Sequence, residues 1–250
     1  MQDVTCGIKT LMRPDCLLRL LDSIYRFYPD MRCVIVDDSQ QPTLPANYAH
    51  RDKINYITTD YDIGLGPGRN VMIDNVDTKY CVYLDDDFVF TNKTQLELMK
   101  GVLDTGKADL VGGQVRERGH FRLYHGLLDV QGSVLTYRRA AYGKELIPLN
   151  SDGQGVEIKY VDIVLNFFMA RTDLLQQVKW DPELKINTHS EFFMRAKDQM
   201  KIAFCADCHV NHNRKGAQPG YGKLRKRPHR KIGLQKHGIR TCKFVGGRWG

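Results

Sequence analysis

The chain has 250 residues, 42% of them hydrophobic, which is enough apolar material for the core of one domain. Its net charge is +8, but positions 208–250 hold twelve Lys or Arg and no Asp or Glu, so residues 1–207 carry 25 basic against 29 acidic side chains. The basic character therefore belongs to the C-terminal segment, and the absence of an apolar run of 18 residues or more argues against a membrane span.

The chain opens on an alternation of strand and helix. Residues 4–8 predict a first strand, and residues 15–27 predict a helix because apolar side chains recur there at helical spacing. Residues 33–36 are a short apolar run, typical of a buried parallel strand, and Asp37-Asp38 follows at once. This order is the start of a strand–helix–strand unit.

The alternation continues to residue 115. The pattern predicts a strand at 54–58, a turn at 64–68, a helix at 69–76, a strand at 80–84, a helix at 94–103 and a strand at 110–115. We therefore expect the α/β class, with a mostly parallel, Rossmann-like central sheet and helices on both faces.

The second half of the chain is less regular. Residues 122–138 alternate weakly and predict a small antiparallel part, while residues 191–197 predict a short helix. After Val210 the sequence is rich in Gly, Lys and Arg with little periodicity, which predicts a mobile tail. We expect one folded domain over residues 1–213 and a basic tail over residues 214–250.

The strongest local motif is Asp85-Asp86-Asp87, which closes a hydrophobic strand. Three adjacent carboxylates repel one another unless a cation lies among them, so the motif suggests bound Mg²⁺ or Mn²⁺. A solvated acidic turn is the alternative interpretation of these residues alone.

A second acidic pair favours the metal-site interpretation. Asp37 and Asp38 end another strand of the same half, and in open α/β sheets such strand ends meet at the edge where ligands bind. Thr10 and Arg13 follow the first strand at that edge. Cations beside carboxylates and a bound metal suit a diphosphate ligand.

The glycine-rich segment 64–68 lacks the spacing of a dinucleotide-binding loop, and the sequence has no Walker loop. We interpret it as a bend that directs Arg69 and Asn70 toward a nucleotide. An ordinary turn followed by a surface arginine fits the local sequence equally well.

Several motifs together resemble the animal β-1,4-N-acetylgalactosaminyltransferases that make the gangliosides GM2 and GD2. The resemblance covers roughly residues 3–213 and rests on motifs in the same order, including Val34-Ile35-Val36-Asp37-Asp38-Ser39, Asp85-Asp86-Asp87-Phe88-Val89-Phe90-Thr91, Asn166-Phe167-Phe168-Met169-Ala170-Arg171-Thr172-Asp173 and His189-Ser190-Glu191-Phe192-Phe193. It implies a GT-A fold for the domain at 1–213 and a metal-dependent, inverting glycosyltransferase that uses a UDP-sugar.

The resemblance also implies roles for residues of the acidic motifs. In such enzymes Asp85 would contact the ribose, with Asp86 beside it in the nucleotide site, and Asp87 would bind the Mn²⁺ or Mg²⁺ that bridges the diphosphate. Asp37 or Asp38 would meet the uracil.

Three further roles come from later in the chain. His212 matches a late metal ligand, and Glu191 matches the catalytic base that activates a hydroxyl of a glycan acceptor, giving a β-glycosidic bond. Asp162 and Asn166 would flank the pocket and hold donor or acceptor hydroxyls. The alternatives are a Glu191 at a helix start favoured by the helix dipole and a structural Asn166.

Two other classes of function use the same features. A nucleic-acid or anionic-surface binding protein would use the basic run at 223–231, although no aromatic interleaving or reader motif accompanies it. A Mg²⁺-dependent nucleotidyl- or phosphotransferase would use the acidic cluster. For a glycosyltransferase, we expect the tail to contact an anionic membrane or an acidic glycan, or simply to be solvated, without specific nucleic-acid binding.

The sequence is less informative about compartment and substrate. Seven scattered cysteines are odd in number and do not predict a disulfide framework, which favours a reducing compartment. We expect a soluble cytoplasmic enzyme, or a lumenal Golgi-type catalytic domain if the sequence is part of a longer protein. Neither the donated sugar, nor the acceptor and its linkage position, nor the oligomeric state follows from the sequence.

Overall fold

A computed structural model describes residues 1–149, 155–226 and 228–246 of the chain. The strands are β1 (Val4–Thr10), β2 (Arg32–Asp37), β3 (Ile54–Thr58), β4 (Tyr80–Asp85), β5 (Phe88–Val89), β6 (Leu110–Glu117), β7 (His120–Arg122), β8 (Leu127–Gln131), β9 (Val134–Arg138), β10 (Gly143–Pro148), β11 (Gly155–Tyr160), β12 (Phe168–Arg171), β13 (Ile202–His212) and β14 (Thr241–Val245). The helices are α1 (Pro14–Phe27), α2 (Leu65–Asp74), α3 (Leu96–Asp104), α4 (Thr172–Val178), α5 (His189–Ala196), α6 (Tyr221–Leu224) and α7 (His229–Lys236). None of the described helices is both long and apolar enough to cross a membrane.

One large mixed sheet forms the centre, in the strand order β10-β11-β13-β6-β12-β4-β1-β2-β3, with β5 and β7 attached at its side. β1 is parallel to β2 and β4, β2 is parallel to β3, and β6 is parallel to β13. β12 runs antiparallel to both of its neighbours, and β11 does the same. The predicted α/β class is confirmed, but the sheet is mixed: the expected parallel order holds for β4-β1-β2-β3 and for β6 with β13, and the other pairings of this sheet are antiparallel.

Both faces of the sheet are covered by helices. In β4, Val82 and Leu84 point into a core that contains α1 and α3, whereas Cys81 and Tyr83 point into a second core that contains α2, α4 and α5. Successive side chains of a strand face opposite sides, so a central strand buried on both faces needs apolar residues throughout. This is why the sequence shows continuous apolar runs there.

Six strands end at the same edge of the sheet. β1, β2, β3, β4, β6 and β13 run in one direction, so their last residues lie at that edge: Thr10, Asp37, Thr58, Asp85, Glu117 and His212. The register pairs Thr10 with Asp37 and Lys9 with Asp85. The expectation that both acidic groups share one edge is confirmed, and the sheet adds two later strand ends to it.

The predicted turn at 64–68 is wrong, because α2 already begins at Leu65. Gly64 has a φ of 99°, a left-handed conformation that suits glycine, and its N–H donates to Asp38 at 3.0 Å. Pro67 lies in the first helical turn, where a missing N–H costs no helical hydrogen bond. The glycines therefore start the helix that carries Arg69.

The small antiparallel part is confirmed by the β8–β9 hairpin, but the expectation of a tail without regular structure is wrong. α7 and β14 lie within residues 214–250, and β14 pairs in parallel with β9 to complete a three-stranded sheet. Most residues of this segment are exposed, and Gly233 and Ile239 are among the few that are buried. The sequence therefore shows no periodic pattern of apolar residues there. Residue 227 of the basic run and residues 247–250 of the tail lie outside the described residues.

Candidate active site

A cavity of about 550 Å³ opens at the strand edge. The acidic triplet and Arg13 form part of its wall, and Arg69, Asn166, His189 and His212 form others. Residues Tyr221 and Arg225 of the C-terminal segment close one side. The cavity therefore combines strand-end carboxylates with cations from four separate parts of the chain.

Arg13 binds two carboxylates of the triplet at once. Its Nη1 donates to Asp86 Oδ1 and its Nη2 to Asp87 Oδ2, both at 2.6 Å. Thr10 Oγ1 donates to Asp86 Oδ2 at 2.8 Å. Both carboxylates are buried, so the guanidinium supplies the compensation that buried anions need.

The two carboxylates have opposite pKa shifts. Burial raises the pKa of Asp86 to about 7, with the neighbouring Arg13 acting against the rise. For Asp87 burial also acts upward, but hydrogen bonds from His212 and Arg13 outweigh it and lower the pKa to about 2. Asp87 is therefore the member of this pair that holds its negative charge firmly.

Asp87 and His212 could hold a divalent cation. His212 Nε2 lies 2.9 Å from Asp87 Oδ2, and Asp87 Oδ1 is buried without a hydrogen-bond partner in the described part of the chain. Within that part no three His, Cys, Asp or Glu side chains form a group that could hold a metal. Mg²⁺ is commonly held by one or two carboxylates together with substrate phosphates and water, so a pair of protein ligands fits such an ion.

Asp85 faces a different set of partners. Its carboxylate accepts hydrogen bonds from Asn166 Nδ2 at 2.9 and 3.2 Å, and Arg69 Nη2 lies 3.6 Å away. The Arg69 guanidinium carbon lies 4.8 Å from the centre of the Tyr83 ring. Arg69 Nη1 donates a hydrogen bond to the Thr188 hydroxyl. The structure thus brings together three residues that the sequence placed in the nucleotide site.

Asp37 and Asp38 are buried at the strand edge and are fully engaged by protein groups. Asp37 accepts hydrogen bonds from the Thr43 N–H at 2.8 Å, and the Tyr56 hydroxyl also donates to it. Asp38 pairs with Lys9, and burial raises the pKa of Asp38 and lowers that of Lys9. Contact of either aspartate with a base stays a prediction.

The prediction that Asp162 flanks the pocket is wrong. Asp162 is 4% exposed, and its Oδ2 accepts hydrogen bonds from the Leu128 N–H at 2.8 Å and the Tyr142 hydroxyl at 3.1 Å. Its own N–H donates to the Gly126 carbonyl. The residue joins β8 to the end of β11, away from the cavity wall.

Glu191 lies in α5 with its carboxylate turned away from the cavity. Arg195 donates to it from Nε at 2.5 Å and Nη2 at 3.0 Å, and His237 Nε2 lies 3.3 Å from its Oε1. Arg195 is itself held by the carbonyls of Val178 and Lys179. The role of Glu191 as the base stays a prediction.

Sequence reasoning missed three cavity residues. His189 stood inside a quoted motif but received no role, and Arg225 was counted only as part of a basic run. The Tyr221 ring centre lies 5.2 Å from the Arg13 guanidinium carbon, and Arg225 Nη1 lies 3.4 Å from the Tyr221 hydroxyl. No local pattern places a tail residue beside Arg13, so only the tertiary structure reveals this contact.

The chain matches known proteins over most of its length. A family model described as Glycosyl transferase family 2 matches residues 5–165. The human β-1,4 N-acetylgalactosaminyltransferase 1 is 38% identical over 216 residues, which are 84% of this chain and 38% of that protein. The mouse β-1,4 N-acetylgalactosaminyltransferase 2 is 35% identical over 211 residues, 84% of this chain and 39% of that protein.

Solved structures share the fold. The crystal structure of S. aureus TarS 1–349 in complex with UDP-GlcNAc superposes with a TM-score of 0.60 at 19% identity, covering 86% of this chain and 59% of that one. At this identity the likeness concerns the fold alone. The chain spans about two fifths of the length of the curated relatives it matches.

Proposed function

This chain belongs to glycosyl transferase family 2 and is a glycosyltransferase with the predicted GT-A fold, and from that premise we propose that it moves a sugar from a UDP-sugar to a hydroxyl of a glycan acceptor. We further propose that the transfer depends on Mn²⁺ or Mg²⁺ and inverts the anomeric centre to give a β-glycosidic bond. The observation that carries the proposal is the pairing of Asp87 with His212 beneath a cavity that Arg13 also lines.

The donor class is supported by the relatives. A structural neighbour is titled as a complex with UDP-GlcNAc, and the relatives with the higher identity are named as N-acetylgalactosaminyltransferases. A nucleoside diphosphate also matches the local charge, because cations from β1, from the residue before α1, from α2 and from the C-terminal segment line the cavity. Which sugar the donor carries is a question for experiment.

In this proposal Asp87 and His212 would hold the cation, and Arg13 would keep Asp87 correctly oriented. A cation held there would supply positive charge against the negative charge of the departing diphosphate. Arg225 lies on the same wall as Arg13 and would add charge from the tail. Asp85, held by Asn166, would receive the ribose hydroxyls.

Inversion requires a base on the side of the sugar opposite to the diphosphate. The base removes the proton of the acceptor hydroxyl while its oxygen attacks the anomeric carbon, which typically accounts for about 10²–10⁴-fold in rate. The resemblance assigned this role to Glu191. Its ion pair with Arg195 would have to open before its carboxylate could reach the cavity.

The proposal is tested by a screen of UDP-sugars with Mn²⁺ and Mg²⁺. Donor turnover is followed by NMR, which also reads the configuration of the product. We expect turnover of at least one UDP-sugar, its loss on chelation of the metal, and a β product from an α-linked donor. Transfer of a phosphate or nucleotidyl group instead would support the phosphotransferase or nucleotidyltransferase alternative.

A further inference from the structure

His212 is the last residue of β13, and the chain leaves the sheet directly after it. Its Nε2 lies 2.9 Å from Asp87 Oδ2, whereas its Nδ1 is buried without a hydrogen-bond partner among the described residues. Glu117 Oε2 lies 3.6 Å from Nδ1, which is too long for a hydrogen bond. A histidine that binds a metal is usually oriented by a hydrogen bond at its other ring nitrogen. The orientation of His212 therefore depends on other contacts.

The main chain of Asn213, the residue after His212, is held on both sides. Its N–H donates to the Asp87 carbonyl at 2.8 Å, and its carbonyl accepts a hydrogen bond from Arg19 Nη2 at 2.9 Å. The same Nη2 donates to the Lys215 carbonyl at 2.7 Å. Asn213 thereby joins the backbone of one candidate metal ligand to the end of the strand that carries the other, and Arg19 holds this connection from outside the cavity.

Arg19 belongs to α1, and its described hydrogen-bond partners include no carboxylate. Its guanidinium contacts the two carbonyls and the Cys16 sulfur, which lies 3.6 Å from Nη2, and its Nε is buried without a partner in the described part of the chain. A hydrogen bond from an ionised donor is about twice as strong as one between neutral groups. An arginine whose charge is directed at main-chain carbonyls is therefore well suited to fix a backbone segment.

Other residues of the same region also hold the segment that follows His212. The Cys16 thiol donates to the Lys215 carbonyl at 3.1 Å, and the Gln218 N–H donates to the Met12 carbonyl at 2.9 Å. These contacts do not involve Arg19, so they remain when Arg19 is replaced. Loss of the arginine should therefore loosen the backbone next to His212 while the rest of the segment stays attached.

We propose that Arg19 is a positioning residue of the metal site, which holds the end of β13 so that His212 and Asp87 face the same cation. The inference rests on the proposed function, because it concerns how that site is kept in order. Arg19 does not line the cavity, so it acts only through the backbone. Without its two hydrogen bonds to carbonyls, the imidazole is free to turn away from the cation, while the carboxylate of Asp87 stays in place.

The test compares Arg19→Met with the wild type, using the full chain. Methionine is a good helix former with a long apolar side chain, but it donates no hydrogen bond. Calorimetric titration with UDP and Mn²⁺ should show an affinity about 10- to 100-fold lower, which is the usual effect of removing an outer partner of a metal site. The affinity for uridine, which carries no phosphate to bind the metal, should be unchanged.

Pulsed electron paramagnetic resonance supplies a readout that a purely structural role would not change. Mn²⁺ bound with UDP to the wild type should show modulation from a directly coordinated imidazole nitrogen. This modulation should be absent from His212→Gln and much weaker in Arg19→Met. Arg19→Lys should recover part of the modulation and of the affinity, because an ammonium group can donate to two carbonyls at once.

Arg26→Met is the matched control, because Arg26 lies in the last turn of the same helix, is exposed and does not line the cavity. Arg19→Gln, which removes the charge but keeps a polar side chain, provides the same test if Arg19→Met does not fold. Unchanged nitrogen modulation in the folded Arg19 variant, its absence from the wild type, or an equal loss of affinity for uridine would overturn the inference while the proposed function stands. A wild type that binds no Mn²⁺ with UDP would overturn both.

Discussion

His212 Nε2 lies 2.9 Å from Asp87 Oδ2, although one residue ends a late strand and the other follows an early one. Antiparallel pairing of β5 with β13 sets His212 opposite Phe88, the residue after Asp87. The contact is therefore a product of strand register.

Asp87→Asn should abolish the metal-dependent part of UDP binding. The substitution keeps the size of the side chain but removes the negative charge that Arg13 and His212 contact. We expect the affinity for UDP with Mn²⁺ to fall about tenfold or more. A loss of this size is typical when a residue that orients a metal ligand is replaced. Calorimetric titration with and without Mn²⁺ measures this, and Asp198→Asn is a control at a side chain that is 69% exposed. If the substitution left both titrations unchanged, Asp87 would not be a ligand of the metal.

Arg225→Ala should weaken UDP binding about threefold to tenfold without changing the affinity for uridine. Arg225 belongs to the cavity wall beside Tyr221 and is expected to meet the phosphates, which uridine lacks. Lys231→Ala removes an exposed charge of α7 and should leave both affinities unchanged. Equal losses for the two ligands would show that Arg225 acts on the fold or on the nucleoside instead.

Glu191→Gln should destabilise the protein by about 1–3 kcal/mol, because it leaves the Arg195 guanidinium without its carboxylate. Glu191 is 4% exposed, so water replaces the lost charge only in part. Urea unfolding measures the free energy change. Glu157→Gln, which breaks an exposed pair with Lys144, should leave the free energy of unfolding almost unchanged. Similar values for both variants would contradict a structural role for Glu191.

His125 should make the folded state sensitive to acid. Burial, with Lys159 and Arg139 nearby, lowers the pKa of His125 to about 4 from an ordinary 6.5. Between these values the unfolded chain binds more protons, so stability rises with pH and is lost as pH falls from 6.5 toward 4, by up to about 1.4 kcal/mol per pH unit. Its ring stacks on Phe204 at 3.8 Å, so His125→Phe should keep the packing.

Urea unfolding at several values between pH 4 and 7 tests this prediction. The slope of stability against pH should be smaller in His125→Phe than in the wild type. His189 contributes a slope of the same sign, since burial also lowers its pKa, and part of the dependence should therefore remain. Equal slopes would mean that His125 is protonated to the same extent in both states.

The parallel half of the fold was predictable because its strands are buried on both faces and therefore appear as uninterrupted apolar runs. The same strands end in carboxylates, so the convergence of Asp37 with Asp85 followed from topology alone. The helix at 191–197 was also expected, but it begins at His189. His189, in its first turn, lines the cavity, a position that the sequence pattern did not predict.

The C-terminal segment could not be predicted from local pattern. β14 is mostly exposed, and its only described strand partner is β9, more than a hundred residues earlier. Neither a periodic pattern of apolar residues nor the residues of the turns predict such a pairing. Charge and motif position placed both Glu191 and Asp162 at the cavity. In the structure the Glu191 carboxylate accepts hydrogen bonds from Arg195, and the Asp162 carboxylate accepts one from the Leu128 N–H. Side-chain direction is set by packing, which the sequence does not reveal.

The late pairing of β14 with β9 has a consequence for biosynthesis. A ribosome delivers β1 to β13 first, so the large sheet can form while the segment that encloses Glu191 is still absent. Only when translation passes Val245 can the small sheet close and α7 settle on α5. A nascent chain should therefore reach an intermediate in which strand-end aspartates are assembled and the rear of α5 is still open to chaperones and proteases.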